Sequence, residues 1–179
     1  MGAPGAGTTT LAKAIAAPLQ YPHFDADDYH WFTSDPEPYR RRRNRAHRCQ
    51  LLAADLVQHE KWVLSGSLCD WGDEFASKFD IVLFCTAPTD VRLARIRARE
   101  TARYAAGRLE PDGDLHSVFL KFLDWASEYE TMPERPRSLV YERDWVTQNC
   151  LCPVIWVDME LGIEEALAQM NKALGTIKE

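Results

Sequence analysis

At 179 residues and a formal net charge of −6, the chain fits one domain with a substantial core and is not built for nonspecific nucleic-acid binding. A hydrophobic share of 46% excludes a disordered chain, and no apolar run reaches the length of a membrane span. The five cysteines, Cys49, Cys69, Cys85, Cys150 and Cys152, are scattered. The Cys150-x-Cys152 spacing is not that of a zinc site, so reduced thiols in a cytoplasmic protein are expected.

In chain order, Gly2 to Thr10 read Gly-Ala-Pro-Gly-Ala-Gly-Thr-Thr-Thr. They fit G-x-x-x-x-G-K-[ST] at every fixed position but one, because Thr8 stands at the lysine. Glycines at this spacing let backbone N–H groups turn inward around a polyphosphate, at the positive end of the following helix. Gly2, Ala3, Pro4, Gly5, Ala6, Gly7, Thr8, Thr9 and Thr10 are therefore the candidate nucleotide cradle, with the Thr9 hydroxyl at the Mg²⁺ position. Such a loop follows a buried strand, and only Met1 precedes it here. The reading frame is expected to continue upstream into that strand.

A helix is expected from Thr8 to Ala17, ended by Pro18, then a short strand over Leu19–Phe24 running into Asp25-Ala-Asp-Asp. A proline-rich loop over Thr33–Pro38 precedes an arginine-rich helix that runs to about His59. Trp62–Ser65 reads as a buried strand entering Gly66. Phe79–Cys85 is continuous and apolar, as a central parallel strand should be. Helices follow over Thr89–Tyr104, Ser117–Tyr129 and Ser138–Asn149, then a strand over Pro153–Asp158 and a helix over Ile163–Leu174. Strands alternating with helices predict an α/β domain with a parallel sheet.

These residues resemble the P-loop small-molecule kinases of the adenylate kinase and shikimate kinase type. The match runs from Gly2 to the last helix. Asp25-x-Asp27 looks like the Asp-x-Asp of shikimate kinases, and Ser65-Gly66-Ser67 sits where such kinases place a substrate-facing glycine loop. Arg95-x-x-x-Arg99 is similar to the lid arginines of nucleoside monophosphate kinases, and Val157-Asp158 to the turn beside the adenine. The resemblance implies a single three-layer domain over residues 1–179. Its parallel sheet would have the order 2-3-1-4-5, with the first strand missing. An acceptor-binding insertion is expected at about 30–60 and a lid at about 95–125. ATP and Mg²⁺ are the implied cofactors, and a nucleoside monophosphate or small hydroxyl metabolite the implied acceptor. Thr8 departs from the pattern, although some archaeal cytidylate kinases are similar in carrying Gly-Thr-Thr-Thr.

Carboxylates just beyond a strand end lie at the mouth of an α/β sheet, where ligands bind. Asp25 and Asp27 can there orient an acceptor hydroxyl, take its proton, or hold Mg²⁺ through water; a helix cap is the plainer reading. Of the run Arg40 to Arg48, Arg43 and Arg48 are candidates for an anionic acceptor, beside a solvated helix face for the others. Arg92, Arg95, Arg97, Arg99, Arg103 and Arg108 have few acidic neighbours in sequence, which suggests an anionic ligand. Arg95 and Arg99 share a helix face and are taken as catalytic, with Arg92 and Arg97 as surface. Trp31 and Trp71 could line a pocket. The expected function is ATP-dependent phosphoryl transfer to a small molecule; the alternative is a catalytically weak nucleotide-binding regulator. Homo-oligomerisation is possible, and a nucleic-acid partner rests on the arginine run alone.

Overall fold

The computed structural model describes residues 1–35 and 39–177. The expected proline-rich loop at 33–38 falls partly outside them. Helix α1 (Thr8–Leu19) starts from Gly7 and ends on Gln20, whose left-handed backbone returns its N–H to the Ala16 and Ala17 carbonyls. Pro18 sits inside the last turn, and the helix outlasts it by one residue. Strand β1 (His23–Asp25) is shorter than expected. It gives way at once to α2 (Ala26–His30), because Asp25 accepts the Asp27 N–H and caps that helix.

The arginine run is not one helix. Helix α3 (Arg45–Leu56) begins after Asn44, whose side chain accepts the His47 N–H at 2.9 Å. A good cap residue sets the start, and the preceding arginines take another conformation. The Arg41 carbonyl accepts from Phe32 N–H, Arg43 N–H donates to the His30 carbonyl, and Trp31 pairs antiparallel with Arg42. Strand β2 (Val63–Ser65) and a 3-10 turn (Asp73–Lys78) follow. Then come β3 (Val82–Thr86), α4 (Thr89–Arg103) and α5 (His116–Ser127). The chain closes with α6 (Leu139–Asn149), capped by Ser138, β4 (Val154–Asp158) and α7 (Ile163–Ile177). No helix among the described residues is long and apolar enough to cross a membrane.

In place of the expected single sheet of order 2-3-1-4-5, the described strands form two separate parallel pairs. Strand β1 pairs with β2, His23 opposite Val63, and β3 pairs with β4, Val82 opposite Val154. Between the pairs lies a cavity of about 450 Å³ bordered by β2, β3, α1 and Met1. Met1 borders it and is held to β3 by backbone. The Met1 amino group donates to the Leu83 carbonyl at 2.8 Å, and Cys85 N–H donates to the Met1 carbonyl at 2.8 Å. Each pair has its own core. Leu11, Cys85, Ile155, Val157 and Ala166 pack beneath the glycine loop, and Tyr29, Leu52, Leu68, Trp71 and Phe75 pack around β1 and β2.

Candidate active site

The glycine loop is held in shape by backbone. Ala6 N–H closes a turn on the Ala3 carbonyl at 3.0 Å. Gly5 has φ +80°, and a Cβ there would lie 2.5 Å from the Arg92 carbonyl oxygen. Gly7, at φ +93°, caps α1 without a side-chain bond, and no acidic residue stands in the helix's first turn. The first N–H groups of α1 therefore have no side-chain anion of their own to satisfy them, as an anion site requires.

Thr9 joins the loop to the end of β1. Its hydroxyl donates to the Asp25 carboxylate at 2.8 Å, while the other Asp25 oxygen caps α2. The cap is the plainer of the readings given for this carboxylate. A hydroxyl and a carboxylate at this distance make a hard-oxygen donor set of the kind Mg²⁺ takes when phosphates complete its shell. Among the described residues, no group of three or more His, Cys, Asp or Glu side chains is placed to hold a metal alone.

Asp27, Asp28, Trp31, Phe32 and Tyr39 line a second cavity, of about 260 Å³. Burial pushes the Asp27 carboxyl above the usual carboxylate range. Arg137 opposes that shift, Asp25 adds to it, and Trp31 and Arg99 favour the charged form. Burial also pushes His30 down to about 4, helped by Arg48, Arg42 and Arg137. Trp31 borders this cavity as expected, whereas Trp71 is core, 2% exposed, and its indole N–H is spent on the Ser67 carbonyl.

The glycine loop after β2 has a structural share. Ser65 is buried with its hydroxyl 3.0 Å from His23 Nε2, and the Ser67 hydroxyl accepts the Cys69 N–H. Gly66 has φ +92°, and a Cβ there would meet Ala26 Cβ at 2.8 Å. It lets the loop pass beneath Asp25. Arg43 is turned to the end of α2, where its guanidinium donates to the carbonyls of Asp28, Tyr29 and Trp31. Arg48 donates to the Arg43 carbonyl and lies over the Trp71 ring.

The second arginine group departs most from expectation. Arg92 is not on the surface; it is fully buried. It donates to the carbonyls of Pro4, Ala87 and Ala126, to the Thr89 hydroxyl, and to Glu130 at 2.5 Å. Three of the others also have acidic partners. Arg99 and Arg103 bind the buried Glu100, and Arg108 binds Asp114. Arg95 donates to the Met159 carbonyl, and Met159 packs against Gly7. Asp158 accepts the Glu160 N–H, closing the turn after β4 beside them.

Arg137 is the residue that sequence reasoning missed. Its backbone is left-handed, at φ 63°, an uncommon conformation that persists where surroundings enforce it. Its guanidinium faces the fully buried Glu142 at 3.4 Å and lies 5.7 Å from the Trp125 ring centre. Tyr129 donates to the other Glu142 oxygen at 2.7 Å. So fixed, Arg137 acts on Asp27, His30 and Cys69 together. Its only sequence signal is its place between Pro136 and the α6 cap Ser138. Thr9 meets Asp25, the Asp27 carboxyl feels Arg137, Asp25 and Arg99, and Arg95 reaches Met159 beside Gly7.

The chain is 36% identical to the uncharacterized protein YqaC of Bacillus subtilis (strain 168) over 165 residues, which span 92% of this chain and 89% of YqaC. It shares its fold with the crystal structure of a gluconokinase from Sinorhizobium meliloti 1021. That match has a TM-score of 0.52 and 19% identity, and covers 99% of this chain and 93% of the other. No protein-family model matches.

Proposed function

The chain belongs to the family of the Bacillus subtilis YqaC protein, and we propose that it is a P-loop kinase that moves the terminal phosphoryl group of ATP to a hydroxyl of a small molecule. The observation that carries this reading is the 2.8 Å bond from Thr9 to Asp25. It joins the glycine loop to the carboxylate that ends β1, where this reading needs nucleotide and acceptor to meet. The gluconokinase fold supports the same reading.

The glycine loop, Gly2 to Thr10, binds the phosphates through its backbone. Thr9, with Asp25, holds Mg²⁺, which neutralises phosphate charge when bound. The acceptor lies in the cavity of Asp27, Trp31 and Tyr39, against Ser65-Gly66-Ser67. Asp27 takes the hydroxyl proton as the acceptor oxygen bonds to phosphorus and the bond to the ADP oxygen breaks. Its raised pKa makes it a better base than a solvated carboxylate. Arg99 and Arg137 supply the positive charge that Thr8 does not, aimed where charge develops. Arg95 and Asp158 border the nucleotide's other end. Arg43 and Arg48 shape the acceptor wall from behind.

The test is steady ADP release from ATP and Mg²⁺ over a panel of nucleoside monophosphates, sugars and hydroxy acids. Release that depends on one acceptor class supports the kinase. Nucleotide binding with no acceptor-dependent release across the panel would replace it with the regulator.

A further inference from the structure

The cavity of about 260 Å³ beside α2 has walls of two kinds. Three carboxylates, Asp27, Asp28 and Asp35, alternate with three rings, Trp31, Phe32 and Tyr39, and none of the described residues that line it is a cation. The arginines nearby are turned elsewhere. Arg43 donates to three backbone carbonyls at the end of α2, Arg48 to the Arg43 carbonyl, and Arg41 to both oxygens of Asp35. Arg99 and Arg137 act on the Asp27 carboxyl but are not among the lining residues.

The rings are backed by guanidinium. Arg42 lies 5.3 Å from the Trp31 ring centre, Arg41 and Arg43 lie 4.5 and 4.8 Å from that of Phe32, and Arg103 lies 5.1 Å from that of Tyr39. None of these arginines lines the cavity, so the rings stand between them and the space inside. A ring already engaged by a cation is a poorer host for a second cation and a better one for an electron-rich flat ring. Trp31 and Tyr39 meet edge to face, 79° apart with centres at 5.9 Å. In such a corner a flat ligand lies on one ring and presents its edge to the other.

We propose that the acceptor is an uncharged alcohol carrying a flat conjugated ring with N–H or O–H donors, of which a nucleoside is the simplest form, and not a monophosphate, a sugar acid or an organic cation. The inference rests on the kinase reading, with this cavity as its acceptor site. An anionic acceptor sets its charge against three carboxylates with no lining cation to offset them, and like charges so placed are how a site rejects a wrong ligand. The N–H and O–H groups of a neutral ligand find acceptors there instead. Carboxylates alone would also admit an organic cation, but the arginine-backed rings disfavour it, and Arg41 already balances Asp35. The cavity is smaller than the roughly 300–1,000 Å³ of drug-sized pockets, which keeps the ligand small.

The experiment uses the whole chain and reads binding by calorimetry, with a non-hydrolysable ATP analogue present, and ADP release with Mg-ATP. The probes are adenosine, cytidine and thymidine, the monophosphate of each, gluconate, glucose and choline. At least one nucleoside is expected to bind about tenfold or more tighter than its own monophosphate, gluconate, glucose or choline, and to release ADP. Two substitutions locate the effect. Asp28→Lys, at an exposed position, should narrow the gap between nucleoside and monophosphate about tenfold. Tyr39→Leu, also exposed, should weaken the nucleoside about tenfold and leave gluconate and glucose unmoved. Release of ADP with a monophosphate, a sugar acid or choline as the preferred acceptor overturns the inference and keeps the kinase. Binding of no nucleoside, of glucose equally well, or of a nucleoside untouched by both substitutions also overturns it. A nucleoside bound as expected without ADP release supports the ligand class and overturns the kinase reading instead.

Discussion

The two strand pairs differ in how they are held. Strands β3 and β4 are five residues each, and Phe84 and Val157 at their centre are almost wholly buried. Strands β1 and β2 are three residues each and largely half-buried. The glycine loop rests on the first pair, while Asp25 closes β1 of the second with Asp27 just beyond it. The loop is thus built of backbone on a packed base, and the carboxylate end of side chains on a thin one, tied across by the Thr9–Asp25 bond. On the proposed reading, phosphate binding draws on the fixed shape of the first and proton transfer on the tuned carboxylate of the second.

Replacing Asp27 with Asn separates these demands most sharply. Turnover is expected to fall by about two to four orders of magnitude, with ATP affinity kept. The same variant should melt higher at neutral pH. The Asp27 carboxyl titrates above its unfolded value, so its ionised form costs stability. That cost is absent below the unfolded pKa and fully present above the folded one. Asn removes it, and a midpoint at pH 7 no higher than wild type would contradict this account of its burial.

Next comes Arg92→Met, which strikes the packed side. It strands three buried carbonyls and the Glu130 carboxylate. Because Glu130 is 35% exposed, the loss should fall at the lower end for a broken buried pair, about 3 kcal/mol, read by urea unfolding. Arg137→Ala should cut turnover about a hundredfold and shift the acid limb of kcat/KM to higher pH. The shift follows because the cation that opposes the rise in the Asp27 pKa is gone. A lower rate with an unmoved limb would assign Arg137 to packing alone.

Thr9→Ala should weaken Mg-ATP about tenfold by calorimetry while leaving Mg-free ATP binding nearly unchanged. The smallest effect is His30→Gln. With the His30 pKa lowered to about 4, wild-type stability should decline as pH falls from about 6.5 toward 4, since the unfolded chain takes the proton first. The Gln variant should show a flatter melting profile across that window.

What could be read from sequence was local. The glycine loop, the Asp25 cap and the apolar β3 each declare themselves within a few residues, although β3 runs over Val82–Thr86 rather than the expected Phe79–Cys85. The arginines could not be sorted that way. Arg92 finds Pro4 across 88 positions and Glu130 across 38, so a residue that looks exposed by helical spacing is fully buried. Arg137 acts on Asp27 from far along the chain, which no local pattern announces. The arginine run failed for a simpler reason: Asn44 was the stronger local signal, and its capping bond moved the helix start past Arg43.

Arg92 also carries a thermodynamic obligation. One side chain grips the Pro4 carbonyl in the glycine loop and the Ala126 carbonyl in α5. If the glycine loop binds nucleotide as proposed, a change in its shape is carried to α5 through this side chain. Any ligand that α5 favours would then alter nucleotide affinity, and nucleotide its affinity, by the same factor, because linkage between sites is reciprocal. Severing the guanidinium should shrink that factor.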